Sequence, residues 1–415
     1  MDFPLNDCFK LLFIAPDKFP PYRVDVRVLF GREIVSRGHT IDWLLQSEVP
    51  CDRGYETKWS GCRVFVGRRD SGTSIIRRVK NHLYSVRHDI KMFSILLKNP
   101  KYDFILVRDK FVSGLIAFFA SRVFKKRFIF WLSFPIPEDY LFQVAEGTIK
   151  YPFVNLIRGY ILSTLLYKIL LPFSDHNFVQ TEKMRDNIAL KGIPREKMTA
   201  VPMAVSLKDI PFFGYNEGWR SDGKEKSVVY LGTLMRLRKI DFILRTFEKV
   251  LIKDRKVRLY LIGGSEDASD EEFLRQEAKR LRIDHAVTIT GFLRQKEAWE
   301  YVKDADVCVS PIYPSPILNC GSPTKLIEYM AMGKAVVAND HPEQRLVISE
   351  SKAGICVPYE EDSFAEGILY LLKNPDVAKQ MGMRGREYIE KKRNYEQTAD
   401  LVEKKLLQLL ASTPC

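Results

Sequence analysis

The segment SPTKLIEYMAMGKAVVAN, residues 322–339, carries side chains suited to holding a phosphate and a sugar at one helix end. Pro323 and Thr324 can open a helix, since proline is tolerated at the first helical position, and the exposed N–H groups of that first turn attract anions. Lys325 adds a point charge beside them. Glu328, one turn further on the same face, can accept hydrogen bonds from paired hydroxyls such as those of a ribose. An ordinary alternative stands level with this reading: Ser322 and Pro323 simply cap a helix, and Lys325 and Glu328 form an i, i+3 ion pair. A second segment, YLGTLMRLRKIDFIL (230–244), reads as strand, turn and helix with Arg236, Arg238 and Lys239 in the turn. Cations at the carboxyl end of a strand stabilise a departing diphosphate more than a bound one, because charge develops as the bond to it breaks. Each such contact is worth on the order of 4 kcal/mol at about 4 Å before desolvation. Taken alone, the same residues read more simply as an exposed basic turn.

Weaker signals surround these two. Asp304-Ala305-Asp306 has the spacing of a metal-binding carboxylate pair, but it precedes an apolar run, where it more simply ends a helix and starts a strand, so no metal is expected. His341 and Glu343 lie in a loop after a strand and suit either a ligand contact or a turn cap. His39 reads as the support of a helix-to-strand turn. Tyr329, Met330 and Met332 read as core packing. LIGGSED, around Gly263 and Gly264, is not a Gly-x-Gly-x-x-Gly fingerprint, so a nicotinamide cofactor is not supported.

The elements that must position these residues alternate as short apolar runs and longer amphipathic stretches, the pattern of a doubly wound α/β protein. Strands are expected at Lys10–Ala15, Thr40–Leu45, Arg63–Val66, Phe104–Val107, Phe128–Leu132, Asn177–Gln180 and Thr199–Pro202. After a Gly-, Pro- and charge-rich break at 208–226, they resume at Ser227–Gly232, Val257–Gly263, Val287–Thr290, Val307–Ile312, Ala335–Asn339 and Gly354–Val357. The domains expected are therefore 1–207, a linker at 208–226, and 227–392. A terminal helix over 393–415, centred on Asn394–Leu410, is free to pack back on the first domain. Two such domains place a ligand cleft at the carboxyl ends of their strands.

A chain of 415 residues exceeds one ordinary core, and 46% hydrophobic with 28% charged residues excludes a disordered or disulfide-stapled protein. Nearly all of the net charge of +13 lies in the first half. It concentrates in Arg68, Arg69, Arg77, Arg78, Lys80, Arg87 and Lys91, and again in Lys125, Lys126 and Arg127. Interleaved with apolar residues, these suit an anionic membrane surface, although a solvated helix face explains any one cluster. No nucleic-acid motif accompanies them. Seven cysteines without a Cys-x-x-Cys pair suit reduced thiols in the cytoplasm. The amino terminus has no basic leader, and the longest apolar stretch, Tyr160 to Phe173, is read as too short to span a membrane. A cytoplasmic protein, peripheral at most on the membrane, is expected.

In combination the motifs resemble the retaining nucleotide-sugar glycosyltransferases of family four, which have the GT-B fold of two Rossmann-like domains facing a central cleft. The resemblance runs through KLLFIAP, SRGHTIDWL, DHNFVQTEKM, KMTAVPMAV, YLGTL with its cations, VRLYLIGG, VTITGFL, DADVCVSPI, SPTKLIEYMAMGKAVVAN and AGICVP. It implies that Glu328 binds the donor ribose, that Arg236, Arg238 and Lys325 act on the diphosphate, and that Gly291, Phe292 and Leu293 lie near the base. Thr233, Ser322, Pro323 and Thr324 complete the implied donor site. The donor implied is a UDP- or GDP-sugar, the acceptor a glycan or lipid-linked glycan, and the cofactors none. Three departures stand out. Cys320 occupies the place of a second glutamate that touches the sugar. Val24 and Asp25 stand where small residues often approach the donor. Ser133 or Phe134 stands where a histidine is common. A nucleotide-sugar 2-epimerase, disfavoured by the sparse histidines, and a catalytically degenerate nucleotide-sugar-binding scaffold subunit are the alternatives.

Overall fold

The structure, a computed structural model, describes residues 8–72, 74–212 and 225–412. Two compact units divide the chain: one holds the residues up to Pro202 together with those from Tyr395 onward, the other Met203–Asn394.

The first unit contains β1 (Lys10–Phe19), β2 (Thr40–Ser47), β3 (Tyr55–Trp59), β4 (Cys62–Gly67), β5 (Phe104–Arg108), β6 (Arg127–Leu132), β7 (His176–Val179) and β8 (Met198–Ala200). They form one sheet in the order β3-β4-β2-β1-β5-β6-β7-β8, parallel except for β3 at the edge. Continuous apolar runs such as LLFIA in β1 and FILV in β5 are buried throughout, as strands covered by helices on both faces must be. β3 was not anticipated: YETKW is half-exposed and pairs only with β4 through a Ser60-Gly61 turn, both residues of which have positive φ.

The second unit contains β9 (Lys226–Leu231), β10 (Val257–Ile262), β11 (Val287–Ile289), β12 (Val307–Ser310), β13 (Val336–Asn339) and β14 (Gly354–Val357). Their order is β11-β10-β9-β12-β13-β14, all parallel. The strand order reverses between β9 and β12, where a doubly wound sheet leaves a crevice at its carboxyl edge. Helix Asp241–Lys253 turns Phe242, Ile243, Leu244, Phe247, Val250 and Leu251 onto the sheet, each contributing roughly 2 kcal/mol of gross burial.

The boundaries differ from expectation. The division falls at Pro202 rather than 207, because Val205 pairs with Asn394 and Ile210 joins a core cluster of the second unit. Of the expected linker, 213–224 lies outside the described residues. Arg393 and Asn394 stay with the second unit, where Arg393 pairs with Glu343 at 2.7 Å. Helix Tyr395–Ala411 belongs to the first unit: it buries Tyr395, Ala399, Val402 and Leu406, while Glu403 meets His39 at 2.7 Å and Asp400 meets Arg37 at 2.7 Å. His39 itself accepts from the Phe9 N–H and stacks on the Phe9 ring, so it fixes the turn into β2. The apolar stretch read as too short for a membrane is part of a 22-residue helical run, Pro152–Phe173, long and apolar enough to cross one by length and composition.

Candidate donor site

At the carboxyl edge of the second sheet, between β9 and β12, a cavity of about 350 Å³ opens. Three segments build it: the turn Gly232–Arg238 after β9, the loop after β12 with Pro311, Ile312 and Tyr313, and the start of helix Thr324–Ala331. Thr233, Arg238, Ser322, Pro323, Thr324, Lys325 and Glu328 all line it. Pro323 precedes the helix, and no side chain caps the first turn, so its N–H groups keep their capacity for an anion.

Pro323 takes the N-cap position, as the plainer reading has it, but the ion pair of that reading does not form. Lys325 makes no ion pair with Glu328; its Nζ donates to the Tyr230 hydroxyl at 2.8 Å and lies 4.0 Å from that ring's centre. Tyr230 in turn donates to the Thr233 carbonyl at 3.2 Å, which ties the lysine to the turn. Desolvation pushes the Lys325 ammonium down to about 7, with the Arg238 charge acting in the same direction and Glu328 opposing. Burial pushes the Glu328 carboxyl up to about 7, with Lys325 opposing. Both charges are thus held at a cost that an incoming diphosphate and a hydroxyl pair would relieve.

Glycine is required at two points of this edge. A Cβ on Gly232, whose φ is 155°, would meet the Lys325 Nζ and Tyr230 hydroxyl at 3.2 Å each. One on Gly263, φ 126°, would stand 2.1 Å from the Gly232 carbonyl oxygen. Gly291 pairs with Gly263 as an isolated bridge, so 291–293 continues the same edge without lining the cavity. Phe292 there is 67% exposed, and Leu293 packs against a core cluster.

Several expected residues stand elsewhere. Arg236 does not line the cavity; its guanidinium lies 4.3 Å from the centre of the Phe273 ring. Cys320 is buried, with its Sγ toward the Pro316 carbonyl at 3.4 Å. His341 is a cap: its Nδ1 accepts from the Glu343 N–H and its Nε2 meets the Leu318 carbonyl at 2.9 Å. Asp306 accepts from the Ser227 N–H at 2.7 Å at the amino end of the sheet, opposite the cavity. Tyr329 is buried, and its hydroxyl accepts the Leu231 N–H at 2.6 Å, which pins the helix to β9.

Sequence reading missed Tyr230, Tyr313 and Asn339. Asn339 ends β13 and clamps Ile312 through both backbone groups, at 2.7 and 3.0 Å, which fixes the loop beside the cavity. A polar residue ending an apolar strand was the available signal.

In the first unit, the carboxyl edge between β1 and β5 holds a different arrangement. Arg108 is 1% exposed and meets Asp25 at 2.5 Å, with Asp109 at 3.4 Å and Asp17 at 3.9 Å. Ser133 donates both its N–H and its hydroxyl to Asp109. Neither carboxylate oxygen of Asp17 has a hydrogen-bond partner. Burial raises the carboxyl groups of Asp17 and Asp109, with Arg108 opposing.

Known proteins resemble this chain in sequence and in fold. Residues 225–374 match the family described as glycosyl transferases group 1. An alpha-monoglucosyldiacylglycerol synthase from Streptococcus pneumoniae is 26% identical over 294 residues, 68% of this chain and 62% of that protein, so the chain spans under two thirds of that relative's length. Among solved structures, the sucrose-phosphate synthase of Thermosynechococcus elongatus superposes with a TM-score of 0.72 at 19% identity, over 98% of this chain and all of that one. HepE of Anabaena, solved with UDP and glucose, gives 0.65 at 12% identity over 96% and 99% of the two chains.

Proposed function

We propose that this chain, whose residues 225–374 are a glycosyltransferase group 1 domain within a GT-B fold, moves a sugar from a nucleotide diphosphate to a glycan or lipid-linked acceptor. The observation that carries the reading is the convergence of Arg238, Lys325 and Glu328 on one cavity where the strand order reverses. Glu328 holds the ribose hydroxyls of a UDP or GDP donor, and Arg238, Lys325 and the open helix start hold its diphosphate. The loop at Gly291–Leu293 lies toward the base.

With no carboxylate nucleophile assigned, the reaction proceeds on one face. The acceptor oxygen bonds to the anomeric carbon as the carbon–oxygen bond to the diphosphate breaks, and the acceptor's proton passes to the departing phosphate. The anomeric configuration is retained. Arg238 and Lys325 stabilise the added negative charge of the leaving group. Arg236 joins them only if its guanidinium leaves Phe273. The protein works at the cytoplasmic face of a membrane, with the basic first unit toward anionic lipid. The similarity to an enzyme named for a glucosyl lipid supports a lipid acceptor.

The test is turnover of a panel of UDP- and GDP-sugars with glycolipid and glycan acceptors, read by proton NMR at the new anomeric centre. Retained configuration, with at least about a tenfold loss in Arg238→Ala, supports the reading. Inverted product contradicts the mechanism. The withdrawn Cys320 Sγ favours a second reading, a nucleotide-sugar-binding subunit without catalysis; donor binding with no turnover on any acceptor would establish it.

A further inference from the structure

We propose that the edge of the first unit where β5, β6 and β7 begin is a seat for the phosphodiester headgroup of an anionic membrane lipid. A cavity of about 410 Å³ opens there, and Arg122, Lys125, Lys126 and Arg127 are among the residues that line it. Three of the four cations are held by carbonyls and a hydroxyl rather than by carboxylates. Arg122 donates to the Phe173 carbonyl at 2.8 Å, Lys126 to the Pro100 carbonyl at 2.6 Å, and Arg127 to the Ser412 carbonyl and hydroxyl. Two carboxylates also line the cavity, but each is engaged by backbone: Asp103 accepts the Lys10 N–H and Asp175 the Phe128 N–H, both at 2.7 Å. Positive charge is left in excess, and a phosphodiester complements it.

The rim points to lipid rather than to a free anion. Helix Phe111–Val123, which supplies Ser121 and Arg122 to the cavity, exposes Phe119 by 59% and Val123 by 67%, one turn apart. Phe173, whose carbonyl holds Arg122, is also more than half exposed. It ends the long apolar helical run from Pro152, along which Phe153, Tyr160 and Ile161 stand out toward solvent. Large apolar side chains flanking a cationic cavity are what an interfacial surface presents, the rings entering the headgroup layer while the cations meet phosphate. Because the strands are parallel, this edge is opposite the carboxyl edge that carries the Arg108 cluster, so docking here leaves that edge uncovered.

The inference sharpens the membrane part of the functional reading and is read without donor or turnover, so either can fail alone. Full-length protein is floated with phosphatidylcholine vesicles, with and without one third phosphatidylglycerol. Wild type is expected to bind the anionic vesicles selectively, and Lys125→Glu with Lys126→Glu to lower that binding at least about tenfold. Phe119→Ser with Val123→Ser is expected to weaken it further at high salt, when charge is screened. Unchanged thermal unfolding and nucleotide affinity show that the variants remain folded. The inference is overturned if the charge-reversed protein binds like wild type, or if Lys80→Glu with Arg87→Glu abolishes binding while the other pair does not. It is also overturned if inorganic phosphate displaces the protein from anionic vesicles while chloride of equal ionic strength does not, since the cavity would then serve a free anion.

Discussion

Both sheets are doubly wound, and each reverses its strand order beside its first strand, yet their carboxyl edges treat charge in opposite ways. In the first unit Arg108 is sealed among Asp17, Asp25 and Asp109, with the opposing charges met inside the protein. In the second, Arg238, Lys325 and Glu328 line an open cavity, and Lys325 is supported by a tyrosine rather than a carboxylate. A charge closed on its partners holds a fold in place. A charge held without them is available to a ligand, and Lys325 and Glu328, whose pKa values burial moves toward 7, both line that cavity.

The contrast is broken or sharpened by substitution. Arg108→Met is the severest, expected to cost about 3–5 kcal/mol in chemical denaturation because three buried carboxyl groups lose their counter-charge; a loss below about 1 kcal/mol would show that the cluster is not structural. Arg238→Ala and Glu328→Ala should leave unfolding nearly unchanged while lowering nucleotide affinity or transfer at least about tenfold, which is about 1.4 kcal/mol. Gly232→Ala should have a similar effect on affinity through the displaced Lys325 ammonium.

A pH series gives a smaller signal. Since burial holds the Lys325 ammonium down to about 7 and a diphosphate favours its charged form, binding at pH 8 takes up protons, and affinity falls by up to about tenfold per pH unit above 7. Lys325→Arg should flatten that limb, as calorimetry in buffers of different ionisation enthalpy would show. Stability measured without added nucleotide carries the mark of the Glu328 carboxylate. Glu328 has a folded pKa raised from 4.5 to about 7, so its contribution is fully present below 4.5 and is lost as pH rises through 7. Glu328→Gln should therefore be slightly more stable than wild type at pH 8, by about 1 kcal/mol or less once solvent screening is allowed for. The least effect belongs to Arg236→Ala, expected to change nucleotide affinity by no more than about twofold while its side chain rests on Phe273.

Much of this was legible in the chain. Buried parallel strands announce themselves as apolar runs, which is why β1, β5, β9 and β12 were found, and the carboxyl-edge placement of Arg238 and Lys325 follows from strand–turn–helix order alone. β3 was hidden because an exposed edge strand such as YETKW lacks that signature. The domain boundary shifted because Val205 and Ile210 look like any loop residues until a core is there to receive them. Arg236 and Arg238 stand two positions apart in one short turn, where Arg238 lines the cavity and Arg236 rests on Phe273, and spacing alone could not say which one would do which. Tyr230 and Asn339 were passed over because each lies within or at the end of a strand, where its polar end has no partner visible in sequence.

The most direct measurement is calorimetric titration of the full-length protein with UDP and GDP, repeated on Arg238→Ala and Arg236→Ala. The account predicts that one nucleotide binds wild type, that Arg238→Ala weakens it at least about tenfold, and that Arg236→Ala leaves it nearly unchanged. Equal binding by wild type and Arg238→Ala, or no binding of either nucleotide to wild type, would contradict it.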